Sequence, residues 1–431
     1  MNICVVGTGY VGLVQGAALA ELGHTVVCVD KDPQKVELLN GGDIPIYEPG
    51  LKEVVQRNIR AERLHFTTSL AEGIEGSEAI FIAVGTPPQD DGSADLTYVD
   101  AVAKEIGQNL NRYAVIVNKS TVPIGTGDRV RSLIEQYYEG EFEVASNPEF
   151  LREGTALSDF MNPDRIVVGL ESQEGRARHI METLYRPLDA RIVFTDVRTA
   201  ELIKYAANSF LATQISFINS LAGIAEEVGA NIDEVSQAMK LDRRIGPKAF
   251  LNAGLGFGGS CFPKDVDALI ATSRRYEVPN ELLETVRSVN YNQRTRAADT
   301  ITGILQGELT HKTVAVWGLS FKPDTDDTRE SPALDVMQTL KQRGAHVRGY
   351  DPAGSEQAKT KLPPEDIAED MYAMLEGADL LFVATDWNQF YNADLDAVYE
   401  RLNTPVIFDG RNMFNRDDAE QKGFTYYGIG R

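Results

Sequence analysis

The opening residues constrain the fold most. The apolar run Ile3-Cys4-Val5-Val6 passes directly into Gly7-Thr8-Gly9-Tyr10-Val11-Gly12. A buried strand that turns through Gly-x-Gly-x-x-Gly into a helix begins a parallel α/β sheet. Its glycines serve a tight turn, close backbone approach to a pyrophosphate and close helix–strand packing. The phosphates would rest at the positive helix N-terminus. Asp30 ends the next apolar run, Val26–Val29, 18 residues after Gly12. A carboxylate there accepts ribose hydroxyls and repels a 2′-phosphate, which favours NAD over NADP.

The same rhythm continues to about residue 195. Apolar runs at Ala79–Val84, Ala114–Val117, Phe142–Ala145 and Arg165–Gly169 alternate with helical spacing, as at Tyr10–Leu22 and Val99–Leu110. This predicts a doubly wound α/β domain over residues 1–196. Thr86 and Ser120-Thr121 fall at the carboxyl ends of strands, the edge where open α/β sheets bind ligands. The texture then changes: Arg198–Val228 contains no proline and predicts one helix of about 45 Å. Further helical patterns at Asp233–Met239, Val266–Arg275 and Asn280–Thr302 make residues 197–300 a mostly α-helical central domain. From Lys312, strands at Val314–Gly318, His346–Tyr350, Leu380–Ala384 and Pro405–Phe408, with a helix across Pro332–Arg343, predict a second Rossmann-like domain over 301–431. The expected class is α/β, two Rossmann-like domains joined by a helical one.

Composition narrows the partners. The formal charge of −22 argues against a nucleic-acid or anionic-membrane footprint, so any anionic ligand must be held locally. Cysteines at 4, 28 and 261 offer no disulfide framework, and five scattered histidines offer no metal site or catalytic dyad. Cys4 and Cys28 lie in apolar runs and read as core. No apolar stretch of about 18 residues and no basic-then-apolar leader occurs, so a reducing cytoplasm is the expected compartment.

Cys261 is different. It sits in Gly256-Phe-Gly-Gly-Ser-Cys-Phe-Pro-Lys-Asp265, a glycine-rich loop read as flexible and open to substrate. Lys264 is expected to favour its thiolate over the free thiol, whose pKa is ~8.5. Glu149 and Glu153 follow a strand end in Asn147–Gly154, where either carboxylate suits a general base for water; solvation alone is the plainer reading. Lys204 and Asn208, spaced i, i+4, share one face of the long helix amid apolar neighbours. A lysine there is costly unless it meets an anion or snorkels to solvent.

Gly7–Gly12, Tyr47-Glu48-Pro49-Gly50, Asn147–Gly154, Lys204–Asn208, Gly256–Asp265 and Trp317–Pro332 stand in one order. In these motifs the chain resembles the UDP-glucose/GDP-mannose dehydrogenases along essentially its whole length. The resemblance implies a four-electron oxidation of a sugar C6 alcohol to a carboxylate with two NAD. It makes Cys261 the nucleophile, forming a thiohemiacetal and then a thioester. It assigns Glu149 to hydrolysis and Lys204 with Asp265 to water and oxyanion control, with Asn208 and Thr121 close by. The implied cofactor contacts are Gly7, Gly9, Tyr10, Val11, Gly12, Asp30, Lys35, Thr86, Thr121, Glu153, Lys264 and Arg329. For a UDP-sugar they are Glu149, Phe150, Leu151, Arg152, Lys204, Asn208, Phe250, Leu251, Asn252, Ala253, Gly254, Phe257, Gly258 and Lys322, with Arg244 from a partner subunit. A homodimer through the central helix is implied as well. Arg244–Lys248 and Cys261–Asp265 resemble the branch acting on UDP-glucose. Open alternatives are GDP-mannose or a UDP-N-acetylhexosamine as substrate, a two-electron hydroxyacid dehydrogenase, which needs no Cys261, and a catalytically silent NAD or nucleotide-sugar sensor.

Overall fold

Apolar runs four or five residues long, most of them buried on both faces, build two separate sheets. The computed structural model describes residues 1–431. The chain divides into a first unit, Met1–Ala207 with Asp267–Glu277, and a second, Asn208–Val266 with Val278–Arg431.

The first unit holds β1 (Asn2–Val6), β2 (Thr25–Val29), β3 (Leu64–Thr67), β4 (Ala79–Ile82), β5 (Val115–Asn118), β6 (Glu143–Ser146), β7 (Ile166–Leu170) and β8 (Ile192–Thr195). Their order is β3-β2-β1-β4-β5-β6-β7-β8, parallel except for the β6–β7 pair. Chain direction reverses its spread between β1 and β4, the switch point of a dinucleotide fold. Register puts Val6 beside both Val29 and Ile82, and Ile82 beside Asn118. The ends of four strands are therefore level, and Gly7, Asp30, Thr86 and Thr121 follow them. One face packs Ile3, Val5, Phe81 and Val117 under the helix Tyr10–Glu21; the other packs Cys4, Val6, Ile80 and Ile116 against Ile106 and Val130. Each such side chain contributes about 1.5–3 kcal/mol by leaving water. Cys4 and Cys28 are buried and unpaired, as the sequence predicts.

The long helix spans Val197–Val228, beginning in the first unit and continuing into the second from Asn208. In the second unit, β9 (Thr313–Trp317), β10 (His346–Tyr350), β11 (Leu380–Val383), β12 (Val406–Asp409) and β13 (Thr425–Gly428) form an all-parallel sheet ordered β10-β9-β11-β12-β13. Ile218 and Ala222 of the long helix share one core with Ala298, Ile301, Val316 and Met337. On the other face the Trp317 and Phe390 rings stack at 5.0 Å. No helix is long and apolar enough to cross a membrane.

Candidate active site

The glycine turn after β1 is shaped for a ligand. Gly7 has φ +99°, and a Cβ there would stand 2.6 Å from the Ala83 carbonyl oxygen; at Gly12 it would meet the Gly7 carbonyl oxygen at 1.9 Å. At Gly9 it would meet nothing within 4 Å. Two glycines thus close the turn and the third leaves its flank open beside the N-terminus of the helix Tyr10–Glu21, a cradle that fits a pyrophosphate.

Asp30 accepts from the Thr8 backbone NH at 3.0 Å, the Thr8 hydroxyl at 2.6 Å and Lys35 Nζ at 2.9 Å. Burial pushes its carboxyl up, but these bonds outweigh it and bring the pKa to about 2. Lys35, expected at the cofactor, is the cation paired with this carboxylate. Thr86 Oγ1 donates to the Thr121 carbonyl at 2.9 Å, tying the loops after β4 and β5. Glu201 anchors the second loop to the long helix, accepting from the NH groups of Gly125 at 2.6 Å and Gly127 at 2.8 Å.

Lys204 does not snorkel. Its Nζ lies 2.8 Å from Glu149 Oε1, with the two residues 3% and 5% exposed. Burial works to raise the Glu149 carboxyl pKa; Lys204, the Leu151 NH at 2.6 Å and Lys119 prevail and hold it below its ordinary value. The plain solvation reading of Glu149 is therefore wrong. Glu153 is half-buried. The Phe150 ring lies 3.6 Å from the Arg165 guanidinium and 5.5 Å from Lys204 Nζ. Arg152 is exposed and forks onto Asp159.

In the second unit, Asn208 Nδ2 donates to Asp265 Oδ2 at 2.6 Å, and Lys264 Nζ to Asp265 Oδ1 at 2.6 Å. Lys264, expected to favour the thiolate, has its ammonium on the adjacent carboxylate. The helix Phe262–Arg275 begins directly after Cys261, four residues earlier than the sequence predicts. A helix N-terminus favours negative charge. The Asp265 NH bonds back to the Cys261 carbonyl at 2.8 Å.

The cysteine loop, expected to be flexible, is tied down on several sides. Asn290 clamps Phe257 through its NH at 2.7 Å and its carbonyl at 3.0 Å, and Arg294 reaches the same carbonyl at 2.9 Å. A Cβ at Gly258 would lie 2.2 Å from the Glu330 carbonyl oxygen. These glycines exist because the loop packs closely. Leu251 and Ala253 are buried, and Gly254 donates to Asn219 at 2.8 Å. Phe250 donates its NH to Gln214, and the Asn252 side chain accepts from Lys240. Lys322 lies half-buried near the Phe321 ring, and Arg329 forks onto Asp327. Arg244 is 89% exposed in its side chain, paired with its neighbour Asp242.

Sequence reasoning passed over Lys119. This buried ammonium donates to Asn147 Oδ1 at 3.2 Å. Burial drops its pKa to about 7, with Lys204 adding to the fall and Glu149 opposing it. The signal was present: a lysine directly after the apolar strand β5, at the ligand edge, has nowhere to snorkel.

Three family models cover the chain. The NAD binding domain of the UDP-glucose/GDP-mannose dehydrogenase family matches residues 1–189, its central domain 198–292 and its UDP binding domain 315–416. A UDP-glucose 6-dehydrogenase of Rhizobium meliloti is 48% identical over 436 residues, with all of both chains covered. Among solved structures, a UDP-glucose dehydrogenase from Pyrobaculum islandicum is 40% identical with a TM-score of 0.92, covering 99% of this chain and 97% of that one. A UDP-D-ManNAc dehydrogenase from Pyrococcus horikoshii is 28% identical with a TM-score of 0.88, covering 100% and 99%.

Proposed function

The chain belongs to the UDP-glucose/GDP-mannose dehydrogenase family, as an oxidoreductase with that family's NAD binding domain, and from that premise we propose that it oxidises UDP-glucose to UDP-glucuronate. The observation that carries this reading is the pairing along one helix. Lys204 holds Glu149, and Asn208, one turn on, holds Asp265 of the cysteine motif.

The open flank of Gly9, the helix start at Tyr10–Val11 and the Asp30 carboxylate fit NAD, with Lys35, Thr86, Thr121, Glu153, Lys264 and Arg329 as the proposed further contacts. NAD, when bound, supplies the hydride acceptor for each of two oxidations at C6. The chain's own residues do the rest. With C6 an aldehyde, Cys261 Sγ bonds to it and the thiol proton passes to the aldehyde oxygen, giving a thiohemiacetal; at the next oxidation level C6 is a thioester. Glu149 then takes a proton from water as its oxygen adds to C6, and the C–S bond breaks with the pair leaving on sulfur. Over the cycle one alcohol, two NAD and one water become one carboxylate, two NADH and three protons.

Lys204 and Asp265 order the water and offset the oxyanion; a fixed buried ammonium does this better than solvent because it need not reorient. Phe150 to Arg152, Asn208, Phe250 to Gly254, Phe257, Gly258 and Lys322 hold the UDP-sugar, with Arg244 serving the site of a second copy. Phe210, Phe217 and Ile224 recur every seven residues on the long helix and are exposed together with Val228, which supports a homodimer through that face. Three cysteines outside any disulfide suit a reducing cytoplasm.

The test is the yield of NADH per UDP-glucose at exhaustion, with GDP-mannose and UDP-N-acetylmannosamine run in parallel. Two NADH from UDP-glucose is expected. One would reduce the reaction to a two-electron oxidation, and two from another sugar alone would move the substrate.

A further inference from the structure

A further carboxylate, assigned no part so far, stands where the dinucleotide turn meets the loop that carries Glu149. Glu48 is 5% exposed, and every hydrogen bond to its carboxylate comes from a distant part of the first unit. Tyr10 Oη donates to Oε2. The Gly154 NH reaches that same oxygen at 2.8 Å and Tyr10 Oη at 2.8 Å, while the Leu157 NH reaches Oε1 at 3.2 Å. Tyr10 is the first residue of the helix Tyr10–Glu21. Gly154 and Leu157 close the segment that begins at Glu149, and Gly154 has φ +82°, a bend that a side chain would strain.

We propose that Glu48 is a positioning residue that fixes the Glu149 loop to the start of the dinucleotide-binding helix. The chain of contact is short. A dinucleotide seated on the helix N-terminus restrains Tyr10, Tyr10 restrains Glu48, and Glu48 restrains the backbone that aims Glu149. Helix Leu51–Arg60 holds the other end, since the Leu51 NH bonds to the Glu48 carbonyl at 3.2 Å. Burial and the Glu48 carboxylate hold the Tyr10 hydroxyl far above its ordinary pKa, so the tyrosine remains a donor throughout the working pH range. A buried carboxylate with three donors is costly to alter at any one of them, because each released group loses its partner without gaining water. Glu48 touches no reacting atom in this scheme; it acts through Glu149.

The inference rests on the hydrolytic role of Glu149, so the test separates the two. Glu48→Gln keeps the shape and replaces one acceptor oxygen with a donor. Its kcat is expected to fall at least tenfold while the NAD dissociation constant stays within threefold, with a mass increment accumulating on Cys261 during turnover. In a Glu149→Gln background the same substitution should cost less than twofold further, because residues acting through one group are not additive. Unchanged kcat, equal losses in kcat and NAD affinity, or losses that multiply in the double variant would overturn the proposal. Should Glu48→Gln fail to fold, Tyr10→Phe decides: it removes one donor and leaves two, and full activity would break the route from helix to loop. If Glu149→Gln alone accumulates no acyl-enzyme, the hydrolytic reading falls, whatever Glu48 does.

Discussion

Lys119 shows how a single side chain sets a pH window. Its ammonium is buried behind Asn147, whose own side chain donates to the Val167 carbonyl at 2.7 Å and accepts from Tyr185. The folded-state pKa of about 7 lies below the value near ~10.4 of an unfolded lysine. Between those values the unfolded chain binds more protons, so stability rises with pH; below 7 the full penalty is present, on the order of a few kcal/mol. Lys119→Met should therefore stabilise the protein more at pH 6 than at pH 9, measured as the difference in denaturant unfolding free energy from wild type. A pH-independent difference would show that the amine is not buried in its neutral form. Cys261 makes the opposite kind of prediction, about turnover and not stability. Cys261→Ser should bind UDP-glucose and NAD within threefold of wild type and yet form no UDP-glucuronate at the wild-type rate, because an alkoxide is a poorer leaving group than a thiolate. Wild-type acid formation by that variant, read by product chromatography, would remove the covalent route.

At the scale of the element, the long helix has the sharpest consequence. Its inner side packs Ile218 and Ala222 into the second core, while Phe210 and Val228 stand 62% and 69% exposed. Leaving four large apolar side chains about half in water on one stripe forgoes on the order of 1 kcal/mol apiece, which a second copy would recover. Phe217→Glu with Ile224→Glu should convert a dimer to a monomer in sedimentation while leaving the circular dichroism intact; a wild-type monomer at micromolar concentration would refute the interface. Elements buried on both faces were legible in the sequence, as β1, β4, β5 and β9 show. Three strands were not: β3 (Leu-His-Phe-Thr), β8 (Ile-Val-Phe-Thr) and β13 (Thr-Tyr-Tyr-Gly). All three are edge strands. In β3 and β13 the apolar run is broken by the exposed His65 and Tyr427, so the mark of a central parallel strand is missing, whereas β8 keeps Ile-Val-Phe and is too short to stand out. The site divides the same way. Cys261 and Lys204 betrayed themselves by chemical type in an unsuitable setting, whereas Glu149 read more plainly as solvated and Asp265 entered only through the family resemblance. The partners of Glu48 and Lys119 were not legible, because they lie 28 to 109 positions away and only the fold brings them near.

Over the whole molecule, the charge of −22 sets a long-range repulsion against the short-range cations that would receive two pyrophosphates. Salt weighs them unequally. The Debye length falls from about 30 Å at 0.01 M to about 10 Å at 0.1 M, so distant acidic residues are screened while contacts in a partly buried cradle are screened much less. At the dinucleotide turn the anion is met chiefly by backbone NH groups and a helix terminus, with Lys35 already committed to Asp30 at 2.9 Å. The repulsive term is therefore the one that salt removes. NAD affinity, followed by fluorescence quenching from about 20 to about 200 mM NaCl, should hold within about threefold or tighten. A protein that binds polyphosphates through a basic surface loses affinity by orders of magnitude over a comparable range. Tenfold weakening here would mean that exposed lysines and arginines, and not the glycine turn, hold the cofactor.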